Sequence, residues 1–498
     1  MPQPALAAVA TLLSFAAHGD HIEFQLDHGA AEVVWITPRT FRFRRSMEGP
    51  LPQVQWEKRA PVSVRVEDTP GSVKIHSSAL EVSVRKKGVL VETRRSDGTP
   101  LMADLSEPRV SGGGVIWERQ APPDVRYYGL GPRVDPVFDV RGKSVQAEVP
   151  FLVATSGYGE YHPSAGVYQF DFRSNDRYQI RAPAVDYFFH FGPAVKQVFE
   201  EHKDAAVVSR SWPAATDRFG SWDSLKAMLS RILTGGMSAM TVPSFSLRPY
   251  EGMPPELIAR ARQLGSLVDD VSPGALDLSG FRKQLDSFFA IYAVEARDRG
   301  FPIWHPLPFQ FPDDPECNRH TDEFMLGDEM LIAPILQPGG KRSIYLPRGV
   351  WTNLETNSVV NGRQSIDVET SSLPVFARNG TIVPLDSAGG LALHYFPSLG
   401  AEFFLLESDV EEWTQVHAAP AADIVRLEIE AKKNRDFQWV VHHVERPLAV
   451  GFEARKYAEA PSASAMRDRT WFYDAAQKNL HVRVRVSAGE DCIVNLNF

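Results

Sequence analysis

Two long tracts of strand-like alternation enclose a middle with helical periodicity, and that middle is too short for a closed β/α barrel. From Asp204 to His305 there are about 100 residues, whereas eight β/α units closing into a barrel usually need roughly 250 and seldom fewer than about 200. Within it, Ser221 can cap a helix whose apolar positions Trp222, Leu225, Leu229, Ile232 and Leu233 recur at three and four and which ends at Gly235-Gly236. Pro254-Pro255 opens a second helix with Leu257, Ile258, Ala261 and Leu264 on one face. A third runs from Phe281 through Leu285, Phe288, Phe289, Tyr292 and Ala296 and closes at Gly300 before Pro302. The apolar run Met237 to Leu247 reads as a buried strand and Ala206 to Arg210 as a weaker one. This is material for about three or four β/α units of the eight a barrel needs.

The flanks are read from their period of two. Leu80 to Val84 alternates, turns at Lys87-Gly88, resumes at Val89 to Glu92 and turns again at Asp97-Gly98. Tyr178 to Arg181 and Asp186 to Phe191 continue it until Gly192-Pro193 breaks the pattern before a short helix at Ala194 to His202. Strands return after Pro302 at Met330 to Leu336, Arg342 to Leu346 and Leu373 to Ala377, and again at Ile424 to Ile429 and Leu480 to Val486. The spacing therefore predicts a multidomain, mainly β chain. It places an N-terminal β-sandwich over 1–203, a β/α segment over 204–305, and two C-terminal β-sandwich domains over 306–386 and 387–498.

Charge and cysteine usage remove whole classes of function. A formal net charge of -9 argues against nucleic acid, because neutralising phosphates takes clustered Lys and Arg. The short basic runs Arg42 to Arg45 and Arg85-Lys86-Lys87 fall inside alternating patterns and read as solvated strand faces. Two cysteines, Cys317 and Cys492, make neither a disulfide framework nor a thiolate metal site, which fits a reduced, cytoplasmic compartment. The apolar run within Pro4 to Ala17 is similar to the core of an export signal but has no Lys or Arg before it, and it competes with a first strand from Leu12 that turns at His18-Gly19-Asp20 into His21 to Leu26. No stretch has the length a membrane span requires.

Asp313-Asp314 reads as a loop bonding its own backbone rather than a hard-metal site. His162, His190, His305, His320 and His394 lack metal-ligand spacing, and His442-His443 reads as adjacent strand positions facing opposite ways. Ser111 to Gly114 is a tight turn without the Lys and helix of a phosphate loop. No cofactor and no metal is implied. Trp212, Phe219 and Tyr250 are aromatic residues able to stack on a sugar ring, with core packing the competing reading.

The segment Gly300-Phe-Pro-Ile-Trp-His-Pro-Leu307 is followed by Phe311 to Asp314, Phe324-Met-Leu-Gly-Asp328, Leu331 to Pro334, Tyr345 to Trp351 and Pro374 to Pro384. In that order these motifs closely resemble glycoside hydrolase family 31. Tyr128-Gly-Leu-Gly131, Val149 to Val153 and Gly157 to Gly159 resemble its N-terminal sandwich, and Phe403 to Asp409 its distal C-terminal domain. The resemblance implies a retaining α-glycosidase, such as an α-glucosidase or α-xylosidase, in which one carboxylate attacks the anomeric carbon and a second carboxyl about 5 to 5.5 Å away protonates the leaving oxygen.

The resemblance implies that 204–305 is the remnant of a (β/α)8 barrel and that this middle has lost both acids. The family's nucleophile segment at the fourth barrel strand has no counterpart, since the chain passes from the helix near His202 to Val207, where the resemblance resumes. The acid/base aspartate's flanks correspond to Thr216-Asp217-Arg218 and Ser221-Trp222, with the aspartate between them deleted. Asp217 and Asp223 are thus neighbours of the expected catalytic site and the only candidates for it; Asp217 reads otherwise as a solvated loop residue and Asp223 as a first-turn helix acid. Arg218 and Trp212 are the candidate substrate-binding residues. Val242-Pro-Ser-Phe-Ser246 and Asp269 to Ser272 stand where the family has further sugar-contacting segments.

The leading expectation is a catalytically degenerate member of the family with a carbohydrate-binding, regulatory or subunit role. Two alternatives stay open: an active α-glycosidase whose barrel a partner chain or second copy completes, and a structural scaffold that binds no sugar. A saccharide ligand, and a homo-oligomer or partner covering the barrel edges, are the expected partners.

Overall fold

The apolar alternation that marks the flanks in sequence becomes sheet faces in the computed structural model, which describes residues 9–54, 60–205, 220–241, 252–267, 281–387 and 389–498. The chain is mainly β and divides into two compact units, the first made of residues 1–211, 230–241 and 298–302, the second of 212–229, 242–297 and 303–498.

In the first unit an eight-stranded sheet runs, in spatial order, Leu12–His18, His21–Leu26, Ala30–Thr37, Thr40–Arg45, Val185–Phe191, Tyr158–Tyr161, Phe151–Ala154 and Tyr127–Gly129. Two five-stranded sheets accompany it, one containing Gly114–Gln120 and Arg177–Ala182, the other Ser72–His76 and Leu80–Arg85. All described ladders here are antiparallel, so successive side chains alternate between faces. Ile22, Phe24 and Leu26 point inward while His21, Glu23 and Gln25 point out. Side chains from all three sheets, including Trp35, Phe41, Val82, Trp117, Ile180 and Phe189, form one hydrophobic core. The expected strand from Leu12 is present, and its turn at Gly19 has φ +67.

In the second unit Trp304–Pro306, Phe324–Leu326, Met330–Ile332 and Val375–Arg378 are consecutive neighbours in a six-stranded sheet. Met325, Leu331, Ile344, Trp351 and Phe376 pack into its core. Two further six-stranded sheets follow, one joining Ile382–Ser387 to Gly390–Tyr395 and Asn479–Val486, the other joining Ala401–Glu407 to Ile424–Glu430. Gly390–Tyr395 pairs in parallel with Arg435–Val441, an exception to the antiparallel rule elsewhere in this sheet's long strands.

Among the described residues, five helices lie between the strand Val185–Phe191 and Gly300: α1 Val195–Ala205, α2 Trp222–Gly236, α3 Pro255–Gly265, α4 Phe281–Gln284 and α5 Asp286–Arg299. The α2 start is capped as its sequence requires, with the Ser224 N–H donating to Ser221 Oγ at 3.1 Å. Leu225, Leu229, Ile232 and Leu233 are buried along it, each contributing about 1.5–3 kcal/mol of apolar transfer. Pro255 occupies the first position of α3, where its missing N–H costs nothing. No helix among the described residues is long and apolar enough to cross a membrane.

Three sequence expectations are corrected. The single helix expected from Phe281 is broken at Leu285 into α4 and α5, because the N–H of Ser287 donates to Asp386 Oδ2 at 2.7 Å instead of to a carbonyl of the preceding turn. The described start of the expected Met237 to Leu247 strand is a helix-ending turn, in which Ser238 and Met240 donate to Gly235 O and Ala239 has φ 61. Its Met237, Ala239 and Met240 are buried, which is why the run looked like a core strand. His442 and His443 lie just past the strand Arg435–Val441, with His443 at φ 54, so they do not alternate across a sheet. The remaining strand candidates, Val242 to Leu247 and Ala206 to Arg210, lie outside the described residues.

Candidate functional site

Asp223 stands in the first turn of α2 with its side chain 96% exposed, 3.9 Å from Lys226 Nζ. That is the place of an acid offsetting the positive helix end. Asp217, Arg218 and Trp212, with the aromatic candidates Phe219 and Tyr250 and the segments Val242 to Ser246 and Asp269 to Ser272, lie outside the described residues.

The motif-bearing region beyond Gly300 is where the structure brings chemistry together. Tyr292 on α5 donates its hydroxyl to Glu329 Oε2 at 2.6 Å, and the Asp328 N–H donates to the same carboxylate oxygen at 3.1 Å. Gly327, at φ +61, has no room for a side chain, since a Cβ there would fall inside the Tyr292 ring. The glycine of the Phe324-Met-Leu-Gly-Asp328 motif is therefore fixed by the approach of α5. Burial, then the neighbouring Asp328 carboxylate, pushes the Glu329 carboxyl up to about 8 against the lowering effect of the Tyr292 bond. His305 Nδ1 lies 3.1 Å from Gln310 Oε1 and 3.5 Å from Asp328 Oδ1. An amide oxygen only accepts, so Nδ1 carries the proton.

Glu329 is 8% exposed, and its Oε2 is engaged by Tyr292 and by the backbone. Asp314 is likewise occupied: it caps the short helix Pro315–Asn318 through the Glu316 N–H and accepts from Tyr345 Oη at 2.8 Å. Glu323, fully buried beneath Arg342 and the Tyr345 N–H, is pushed up to about 8 chiefly by burial. Among the described residues no group of three His, Cys, Asp or Glu side chains is placed to hold a metal, and Cys317 and Cys492 are free thiols.

A second polar centre lies in the core of the first unit. Arg119 is wholly buried, bonded to Asp104 Oδ1 at 2.9 Å and to Glu160, and its guanidinium stands 4.4 Å from the Tyr187 ring centre. His162 approaches Glu160 at 2.6 Å but is pushed down to about 3 by burial and the Arg119 charge, which keeps it neutral. Nothing in the local sequence announces this cluster, because residues 104, 119, 160 and 162 meet only across separate strands. Two histidine pairs were missed for the same reason: His190 with His202 at 3.2 Å, and His394 with His442 at 3.0 Å.

The Tyr128-Gly-Leu-Gly131 motif also finds its cause. The Gly131 N–H donates to Ser238 Oγ at 2.7 Å, and a Cβ at Gly131 would sit 2.6 Å from Thr234 O. Glycine is what lets the end of α2 close onto this loop.

Residues 300–383 match the family model described as the glycosyl hydrolase family 31 C-terminal domain. An alpha-glucosidase of Saccharolobus solfataricus is 39% identical over 94 residues, which are 19% of this chain and 13% of that protein. A probable glucan 1,3-alpha-glucosidase of Oryza sativa is 30% identical over 238 residues, 40% of this chain and 26% of that one. The chain thus spans about a quarter or less of the length of these curated relatives. In fold it is similar to a family 31 dextranase of Flavobacterium johnsoniae solved with isomaltotriose, at 14% identity and a TM-score of 0.83, covering 99% of this chain and 100% of that one. It is also similar to the cycloalternan-forming enzyme of Listeria monocytogenes, at 14% identity and a TM-score of 0.80, covering 98% of this chain and 77% of that one. By its ordered motifs, its matched C-terminal domain over 300–383 and its fold, the chain is similar to members of glycoside hydrolase family 31.

Proposed function

We propose that this chain is a catalytically degenerate family 31 protein that acts by binding carbohydrate, in a regulatory or subunit role. One observation carries the reading: the stretch between the strand Val185–Phe191 and Trp304 holds too few residues for the eight β/α units of a closed barrel, which needs roughly 200 or more. The reading divides the chain into an N-terminal sandwich over 1–203, a truncated barrel over 204–305, and C-terminal sandwiches over 306–386 and 387–498. The buried engagement of Glu323 and Glu329 and the exposed position of Asp223 support it, because none of these acids forms the facing pair that retaining hydrolysis requires.

The experiment is hydrolysis of aryl α-glucosides and α-xylosides by the purified chain, beside calorimetry with gluco-oligosaccharides. Binding without turnover is the expected result. Turnover that disappears in Asp217→Asn or Asp223→Asn sinks the proposal. A companion proposal is that a second copy or a partner chain covers the open edges of the short β/α region, where Arg218 and Trp212 would meet the saccharide. A strictly monomeric mass that persists with ligand bound counts against it.

A further inference from the structure

A cleft among the described residues lies on the outer face of the first unit's eight-stranded sheet. It encloses about 1300 Å³ between the strands Leu12–His18, His21–Leu26 and Ala30–Thr37 and the loop Gly49 to Val54. Strand register explains its shape. Ser14 pairs with Gln25 and Gln25 with Ala30, while Ala16 pairs with Glu23, Glu23 with Glu32 and Glu32 with Arg44. Paired residues in an antiparallel ladder share a face, so small Ser14, Ala16 and Ala30 form a low floor between taller Glu23, Gln25, Glu32 and Arg44.

The far wall is rigidly attached. Arg44, 5% exposed, donates to Glu32 Oε1 at 2.6 Å and to Pro52 O at 2.5 Å, and Ser46 Oγ donates to Gly49 O at 2.6 Å. The Arg44 charge is thereby committed to the carboxylate and the loop. What remains for a ligand is different in kind: among the described residues the side chains of Ser14, Gln25 and Gln53 make no hydrogen bond, and Glu23 reaches only His21 at 3.7 Å.

From this we infer that the cleft binds a neutral, hydroxyl-rich ligand, a gluco-oligosaccharide. An anion is disfavoured because Glu23, Asp27 and Glu32 outnumber Arg44 along the lining. A hard cation lacks the grouped carboxylates it needs. Amide, hydroxyl and carboxylate groups along one trough suit vicinal hydroxyls, each able to donate and accept. The volume exceeds the roughly 300–1,000 Å³ usual for a small-molecule pocket, which fits a chain of sugars better than one. The inference rests on the carbohydrate-binding reading proposed above and assigns it a second place on the chain.

Isothermal calorimetry of the full chain with isomaltotriose and maltotriose tests it, using Gln25→Ala, Glu23→Ala and the cleft-filling Ala16→Trp, all at exposed positions. The expected result is binding weakened about 3- to 10-fold by each alanine and abolished by tryptophan, with unchanged thermal midpoints. Undiminished binding in all three variants overturns the cleft while leaving carbohydrate binding intact. Absence of binding by the unaltered chain overturns both. Calcium binding that displaces the sugar and is lost in Glu23→Ala also overturns the assignment.

Discussion

Asp386 holds Ser287 twice, accepting from its backbone N–H at 2.7 Å and from its hydroxyl at 2.8 Å. A carboxylate from the strand Ile382–Ser387 thus serves as the cap of α5, although 99 positions of sequence separate the two residues. Asp386→Ala is expected to cost about 1–2 kcal/mol, the usual worth of a helix cap, and to lower the unfolding midpoint by a few degrees. Asp386→Asn keeps an acceptor and should recover most of that loss. Equal losses in the two variants would show that the bond is incidental.

At Gly131 the obstacle to a side chain is backbone, with Thr234 O 2.6 Å and Thr234 C 2.7 Å from an added Cβ. Backbone atoms cannot swing aside, so Gly131→Ala should destabilise the first unit by about 1–3 kcal/mol, the cost typical of overpacking. Gly71→Ala is the control, since a Cβ there meets nothing within 4 Å and φ is not positive. Chemical denaturation followed by tryptophan fluorescence separates the two, and similar midpoints would refute the close approach.

Arg119 supplies the positive charge beside the buried Asp104 and Glu160. Arg119→Met leaves both carboxyls without it, and breaking a buried pair this way costs about 3–5 kcal/mol. Adding Glu160→Met removes one orphaned charge and should restore part of the loss, because apolar replacements of buried ion pairs are often tolerated. A double variant no better than the single one would mean that packing, not charge, dominates the site. Soluble yield and urea midpoints of the three proteins decide between these outcomes.

What the sequence made legible was local. The α2 helix was readable because Ser221, the apolar positions at three and four, and Gly235-Gly236 all lie within one short segment. The break at Leu285 was not, since its cause is Asp386 arriving from another strand. Periodicity cannot tell a buried turn from a buried strand, and so Met237 to Met240 was misread. The glycines at 131 and 327 were visible as motif members, but their reason is the approach of α2 and Tyr292, which only the fold supplies. The polar centre at Arg119 and the cleft beside Glu23 were invisible because each is assembled across sheet register. Of the candidate site, the position of Asp223 at a helix start was readable in advance.

Buried groups of opposite kinds set the pH dependence. Burial pushes His162 and His190 down to about 3, His394 to about 4 and His442 to about 2. When pH falls below about 6.5, the unfolded chain takes up protons that these folded histidines refuse, so their contribution to stability is present above 6.5 and lost toward acid. Glu323 and Glu329 act in the other direction, because burial raises both to about 8. From about pH 4.5 to 8 the unfolded chain has released protons that these folded carboxyls retain, so stability falls as pH rises through that window. Between about 4.5 and 6.5 four histidines oppose two carboxyls and stability should drop toward acid by on the order of 2–3 kcal/mol per pH unit; above about 6.5 the carboxyls act alone and it should drop toward base by on the order of 2–3 kcal/mol per unit. The expected profile is therefore a maximum near pH 6.5. Thermal unfolding from pH 5 to 9 measures it, and Glu323→Gln with Glu329→Gln should flatten the alkaline limb while leaving the acid limb in place. A midpoint that climbs steadily to pH 8 in the unaltered chain would show that the two carboxyls are ionised in the folded state.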